Sequence, residues 1–192
     1  MDHALVRSAG VSETLTVSKP TSGSTSWERF EALYRSSRDD VYAYVFTLLR
    51  EAAAAEDVTA LAFERAYRRR RTFDRRRGEE RAWLFGIARN AALDELRRRR
   101  RVATLVREPS EAAGASENAS EDDDGEVALR RTAVQTALAK LPAREREIVA
   151  LKFHGGLSNA ELARVLGVSE SNAGTLLYRT MEKLRKACDA TA

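Results

Sequence analysis

Two short helix patterns joined by a glycine fill the last third of the chain, and this spacing constrains the fold most strongly. Ser158 and Glu161 stand in the positions of a capping box, which predicts a helix beginning there. Gly167 can adopt the left-handed conformation that ends a helix, and Ser169 can cap a following helix over about residues 170–188. Two helices at this spacing predict a helix-turn-helix, whose second helix enters the major groove of DNA.

The remainder of the sequence also favours helices. Alanine, leucine, glutamate and arginine dominate, only 3 prolines occur in 192 residues, and no strand-like alternation is evident. A chain of this length can form one or two small domains. We therefore predict an all-α fold of two small helical domains joined by a flexible acidic linker, the C-terminal domain being the helix-turn-helix.

Composition sets the expected boundaries. Residues 1–25 are rich in Ser, Thr and Gly and should form a disordered tail. A first domain is expected over residues 26–102, an acidic linker over 103–126 and a second domain over 127–192. In the first domain, periodicity predicts three helices, over about 26–48 with a break near 36–37, 56–70 and 81–101.

Charge is strongly segregated along the chain, although the net charge is only +4. Arginine dominates residues 65–101, whereas every charged residue in 108–126 is acidic. This pattern indicates a polyanionic partner for the first segment and a solvated tether in the second. Five consecutive arginines, 97–101, surround a helix completely, so some must face a phosphate backbone laid alongside, unless they only solvate a helix end.

Aromatic residues lie among these arginines. Phe73 and Trp83 are close in sequence to Arg75 and Arg76, and basic grooves that contain aromatics suit unstacked single strands. Core packing is the alternative interpretation for Trp83. In the C-terminal helix, placing Ala173, Leu177, Thr180 and Leu184 inward turns a weakly basic face outward, which predicts modest affinity for DNA on its own.

Several classes of site are not expected. One cysteine and two histidines allow neither an internal disulfide nor a thiolate or imidazole metal site, so no metal or other cofactor is predicted. No apolar run suits a signal peptide or a bilayer span, which predicts a cytoplasmic protein without a membrane partner.

Longer motifs resemble one family in both halves of the chain. Glu56-Asp57-Val58-Thr59, Phe63 to Tyr67 and the run Trp83-Leu84-Phe85-Gly86-Ile87-Ala88-Arg89-Asn90 resemble the second conserved domain of sigma factors of the small extracytoplasmic-function type. Leu141-Pro142, Gly156-Leu157-Ser158 and Leu166 to Ser169 resemble the fourth domain. The resemblance covers about residues 26–102 and 127–187 in the family's order.

The resemblance implies a dissociable subunit of bacterial RNA polymerase that directs the enzyme to promoters and promotes DNA opening. One helix would dock on the beta-prime clamp through Asp57, Val58, Phe63 and Arg65, and the fourth domain would meet the beta flap. The implied minus-ten contacts are Phe73, Asp74, Arg75, Arg76, Trp83, Arg89, Asn90, Arg97, Arg98, Arg99, Arg100 and Arg101. The implied minus-35 contacts are Ser169, Ser171, Asn172, Thr175, Tyr178 and Arg179. An anti-sigma factor is an implied partner, and no catalytic residue is required because the polymerase performs the chemistry.

Two other classes of function compete with this interpretation. A free-standing regulator would use only the helix-turn-helix and would bind specific duplex DNA without polymerase. A nucleic-acid enzyme such as a nuclease would need a carboxylate cluster with metal-ligand spacing near the arginines, and we find none in the sequence.

Overall fold

The computed structural model describes residues 26–106 and 125–189, and within these ranges the chain forms helices and no strands. This confirms the predicted all-α class. The predicted N-terminal tail and most of the predicted linker lie outside the described residues. The helices are α1 (Ser26–Leu49), α2 (Ala52–Arg69), α3 (Glu80–Val106), α4 (Gly125–Lys140), α5 (Ala143–Phe153), α6 (Asn159–Leu166) and α7 (Glu170–Asp189), with 3-10 turns at Arg70–Thr72 and Arg75–Arg77.

Helices α1 to α3 form an N-terminal unit around one apolar core. Val41, Tyr44 and Val45 of α1 are wholly buried against α2 and α3. α1 continues through the position where a break was predicted, because Ser37 is itself buried and the Ser36 hydroxyl bonds to the backbone of its own helix. The helix ends where Arg50 takes a positive φ of 56°.

Two helices of this unit are longer than predicted. α2 begins at Ala52 rather than near residue 56, because a run of alanines, 52–55, favours helix. α3 continues to Val106, five residues beyond its expected end at 101, and Glu95 bonds to both Arg98 and Arg99 one turn away. Such i,i+3 and i,i+4 pairs support a helix even where arginines follow one another.

Helices α4 to α7 form a C-terminal unit that contains the predicted helix-turn-helix. The Ser158 side chain accepts a hydrogen bond from the Glu161 backbone N–H, and the Glu161 carboxylate accepts one from the Ser158 backbone N–H, which confirms the capping box. Gly167 adopts the left-handed conformation with φ 68° and ψ 39°. The Val168 N–H then bonds to the Ala163 carbonyl and closes the turn between α6 and α7.

The two units are packed together. Ile148 and Leu151 of α5, with Leu157 and Leu162, are at most 1% exposed and belong to the same apolar cluster as the core of α1 to α3. A smaller cluster holds α4 against α5 and α7 through Leu141, Val149 and Leu184. The structure is therefore a closed arrangement in which α5 and α6 cover α1 and α3.

Candidate nucleic-acid interface

A cavity of about 180 Å³ lies beside the turn that joins α2 to α3. Phe73 forms an apolar wall, and its ring lies 5.4 Å from that of Trp83 at an angle of 46°. Burial raises the pKa of Glu80, while Arg75 and Arg29 act in the opposite direction. An aromatic wall with cations around it suits a planar base attached to phosphate. The lining residues are Ser26, Arg29, Arg70, Phe73, Arg75 and Glu80.

Asp74 has a structural role in this turn. Its carboxylate accepts a hydrogen bond of 2.9 Å from the Arg76 backbone N–H and so caps the second 3-10 turn. Arg70 lies over the Tyr67 ring at 3.8 Å and bonds to the Tyr67 carbonyl at 2.7 Å. Asp74 therefore fixes the direction of the backbone at the edge of the cavity.

The arginine run on α3 divides into two groups. Arg97 pairs with Asp94 at 3.1 Å and Arg98 pairs with Glu95 at 2.7 Å. Arg99 pairs with both Glu95 and Glu51, and its side chain is only 30% exposed. Arg100 and Arg101 follow these paired residues on α3, and both are exposed. A carboxylate offsets each of these paired cations, whereas among the described residues no carboxylate is seen to pair with Arg100 or Arg101.

Trp83, Arg89 and Asn90 all lie on α3 but in different environments. Asn90 is exposed, while Trp83 is partly buried against the main core. Arg89 donates a hydrogen bond of 2.7 Å from Nε to Glu147 of α5, in the C-terminal unit. In this arrangement the Arg89 guanidinium has a protein carboxylate as its partner.

The outward face of α7 carries the six residues predicted to read DNA. Ser169 caps the helix by accepting a hydrogen bond of 3.2 Å from the Asn172 N–H. All six residues are exposed, and Tyr178 is the most prominent large side chain at 68% exposure. On the opposite face Ala173, Thr180 and Leu184 are buried, as the periodicity predicted, whereas Leu177, also predicted to face inward, is only half-buried. The six are Ser169, Ser171, Asn172, Thr175, Tyr178 and Arg179.

The residues predicted to meet polymerase differ in accessibility. Asp57 is exposed and Arg65 is half-buried, with an Arg65–Asp94 distance of 3.5 Å. Val58 and Phe63 are each 5% exposed, and Phe63 packs edge-on against the aromatic rings of α1. Val58 and Phe63 therefore present little surface to a partner, and both side chains hold α2 to the core.

Two residues that join the units were not identified from the sequence. Arg81 donates hydrogen bonds to the carbonyls of His154 and Gly155, both at 2.7 Å, and to Asp40 at 2.6 Å. Glu147 lies 58 positions from its partner Arg89. No local pattern could have indicated either contact, because each joins the two units across the chain.

The described residues offer neither a cluster of metal ligands nor a membrane span. Among residues 26–106 and 125–189, no group of three His, Cys, Asp or Glu side chains could hold a metal ion. None of the helices in the described ranges combines the length and apolar character of a membrane span.

Both units of the chain match families of known proteins. The Sigma-70 region 2 family covers residues 33–102 and the Sigma-70, region 4 family covers residues 131–184. The chain is 32% identical over 154 residues to the ECF RNA polymerase sigma factor SigL of Mycobacterium tuberculosis, covering 80% of this chain and 85% of that protein. It is 35% identical over 159 residues to the ECF RNA polymerase sigma factor BldN of Streptomyces coelicolor, covering 83% of this chain but 60% of that protein.

Solved structures show the same fold. The sigma factor RpoE of Bartonella quintana, in complex with the anti-sigma factor NepR, superposes with a TM-score of 0.71 at 20% identity, covering 84% of this chain and 98% of that one. CnrH, in complex with the cytosolic domain of CnrY, superposes with a TM-score of 0.60 at 27% identity, covering 89% and 93%.

A two-unit helical chain with an aromatic and arginine-rich turn in one unit and a helix-turn-helix in the other is the architecture of a sigma factor. The chain belongs to the sigma-70 family and is of the extracytoplasmic-function type. Its function is that of a dissociable RNA polymerase subunit that confers promoter recognition. A free-standing regulator would leave the region 2 match over residues 33–102 unexplained.

Proposed function

We propose that the two surfaces described above divide promoter recognition between them. The cavity beside Phe73 accepts a base flipped out of the minus-ten element, and Arg100 and Arg101 bind phosphates upstream of it. The exposed face of α7 reads the minus-35 element. The observation that carries this proposal is the cavity with its aromatic wall and surrounding arginines, in a unit that matches region 2.

Base capture accounts for DNA opening without a catalytic residue. Extruding a base from a duplex costs about a few kcal/mol, which stacking and ionic contacts in a pocket can offset. The rings of Phe73 and Trp83 offer the stacking surface, and Arg75 offers a cation at the rim. No nucleophile or general base is needed, so we infer that the chain is not an enzyme and that the polymerase carries out synthesis.

The docking surface for polymerase is the exposed face of α2. Asp57 and Arg65 are accessible there, while Val58 and Phe63 anchor the helix from beneath. Region 4 would meet the beta flap. Because the chain acts as a polymerase subunit, we place its action in the cytoplasm.

An anti-sigma factor is the partner that the groove between the units fits best. This groove has a volume of about 990 Å³ and includes Phe153, which is 64% exposed, and Val134, which is 45% exposed. Arg50, Arg146 and Arg185 also line it, so an amphipathic helix with an apolar face and acidic flanks would complement both its shape and its charge. Phe153→Asp should abolish inhibition by such a partner while leaving transcription with core enzyme intact.

Run-off transcription with core polymerase and a library of promoters tests the main proposal. The wild-type chain should direct transcription from a defined class of promoter and bind duplex DNA weakly without core. Phe73→Ala should reduce strand opening, monitored by reactivity of unpaired thymines, more than it reduces closed-complex formation. Equal losses at both steps, with an unchanged melting temperature, would contradict base capture.

A further inference from the structure

Arg81 is the residue that joins the two units through the most polar contacts. Its guanidinium donates to Ser37 and Asp40 on α1 and to the carbonyls of His154 and Gly155 after α5. Carbonyls at the C-terminal end of a helix lack partners within the helix and attract a cation. One side chain of the N-terminal unit therefore satisfies acceptors in both units.

A buried ion pair forms the second connection. Glu147 of α5 is 7% exposed and accepts from Arg89 Nε at 2.7 Å. The Tyr44 hydroxyl, wholly buried in α1, donates to the same Glu147 oxygen at 3.4 Å. A buried carboxylate deprived of its cation is strongly unfavourable, so this pair holds α5 against α1 and α3.

The C-terminal unit also covers the turn beside the minus-ten cavity. The guanidinium of Arg164 on α6 lies so close to Gly78 that a Cβ added to that glycine would overlap it. Gly78 has a φ of 136°, so it also occupies a conformation that suits glycine. The helix-turn-helix is thus held against the turn that frames the cavity.

This arrangement is incompatible with simultaneous reading of both promoter elements. Elements centred near minus-ten and minus-35 are about 25 base pairs, or about 85 Å, apart at about 3.4 Å per pair. A compact chain of 192 residues has a radius of gyration of only about 16 Å. The contacts between the units must therefore break when both elements are bound.

We propose that Glu147 is an intramolecular competitor for Arg89, and that with Arg81 it forms a clasp that keeps the free chain closed. The clasp consists of Arg81, Arg89, Glu147, Tyr44 and the carbonyls of His154 and Gly155. A guanidinium binds the oxygens of carboxylate and phosphate alike, so Glu147 and a DNA phosphate would compete for Arg89. The competition with DNA rests on the proposed role of Arg89, whereas the closure rests on the contacts alone.

Opening can be measured on the full chain with two fluorescent labels. Cys188 is the only cysteine, and Asp39→Cys adds a second on α1, where the native side chain is 93% exposed. Glu147→Gln should lower energy transfer between the labels and accelerate association with core polymerase. If about a tenth of the wild-type chain is open, full release would accelerate association about tenfold.

Glu145→Gln is the matched control. Glu145 lies on the same helix, but its ion pair is with Lys183 inside the C-terminal unit, so both readouts should stay at the wild-type level. If circular dichroism shows that Glu147→Gln does not fold, Arg81→Lys is measured in its place with the same readouts. Lysine keeps the charge but lacks the guanidinium fork that reaches both carbonyls.

Unchanged energy transfer and association rate in a folded clasp variant would overturn the proposal. Equal effects of Glu145→Gln and Glu147→Gln would also overturn it. Run-off transcription with the wild-type chain distinguishes this failure from failure of the proposed function. If the chain directs transcription but the clasp variants change neither readout, only the clasp is rejected. If the chain directs no transcription, the proposed promoter recognition is rejected.

Discussion

Replacing Arg100 and Arg101 should change the salt dependence of promoter binding by a predictable amount. Each phosphate contact contributes about 0.9 to the slope of log affinity against log salt. The double variant Arg100→Gln, Arg101→Gln removes two exposed cations that follow the paired ones on α3. The slope should therefore fall by about 1.8. Between 50 and 200 mM salt, the loss of affinity should be about twelvefold smaller than for wild type.

The assay is equilibrium binding of holoenzyme to a promoter fragment over a salt series. The variant should bind more weakly at low salt and approach wild type at high salt. The control is Arg98→Gln with Glu95→Gln, which removes an ion pair of 2.7 Å and leaves the net charge unchanged. An unaltered slope in the Arg100→Gln, Arg101→Gln variant would refute the assignment of phosphate contact to these two arginines. An equal change of slope in the control would refute it as well.

Three further predictions concern stability and are measured by urea denaturation. Gly174→Ala should raise the free energy of unfolding by about 0.5–1 kcal/mol, because its Cβ would lie an ordinary 3.5 Å from Asn159 and alanine favours helix; a loss would show that α7 requires glycine. Gly155→Ala should cost about 1–3 kcal/mol, since a Cβ there would overlap the Leu151 carbonyl oxygen, and wild-type stability would contradict that packing. Hydrogen bonds from Arg98 and Arg99 lower the pKa of Glu95 to about 2, so its charge stabilises the fold above the unfolded-state value near 4.5 and loses this effect as the pH falls toward 2. The stability difference between wild type and Glu95→Gln should shrink over that range, and a constant difference would contradict the ion pair.

Local patterns in the sequence were sufficient for the helix-turn-helix. The capping box at Ser158 and the left-handed Gly167 depend on residues within one turn, so the sequence alone determines them. The buried face of α7 follows from periodicity for the same reason. The predicted lengths of α2 and α3 were too short. Alanines extend α2 at its start, and Glu–Arg pairs extend α3 at its end, past the apolar residues from which the helices were predicted.

Contacts between distant residues could not be predicted. Periodicity placed Val58 and Phe63 on α2. It could not show whether these side chains face polymerase or the protein core, because apolar residues suit both environments. Similarly, a run of five arginines does not reveal which members are neutralised. That depends on Glu95 in the same helix and on Glu51, which stands just before α2 and is distant in sequence. The pairing of Arg89 with Glu147 requires the packing of one unit on the other.

The two proposed DNA surfaces have complementary weaknesses. The outward face of α7 offers hydroxyl, amide and phenol groups but only one cation among its six predicted contacts, Arg179, so it can discriminate bases without binding tightly. The end of α3 offers cations that bind any phosphate and carry little sequence information. On this proposal, neither surface alone is both selective and strong. Polymerase would hold the two surfaces at a set distance, so that the second DNA contact becomes effectively intramolecular. The proposed clasp would add to this dependence, because both proposed surfaces would become available together only after the units separate.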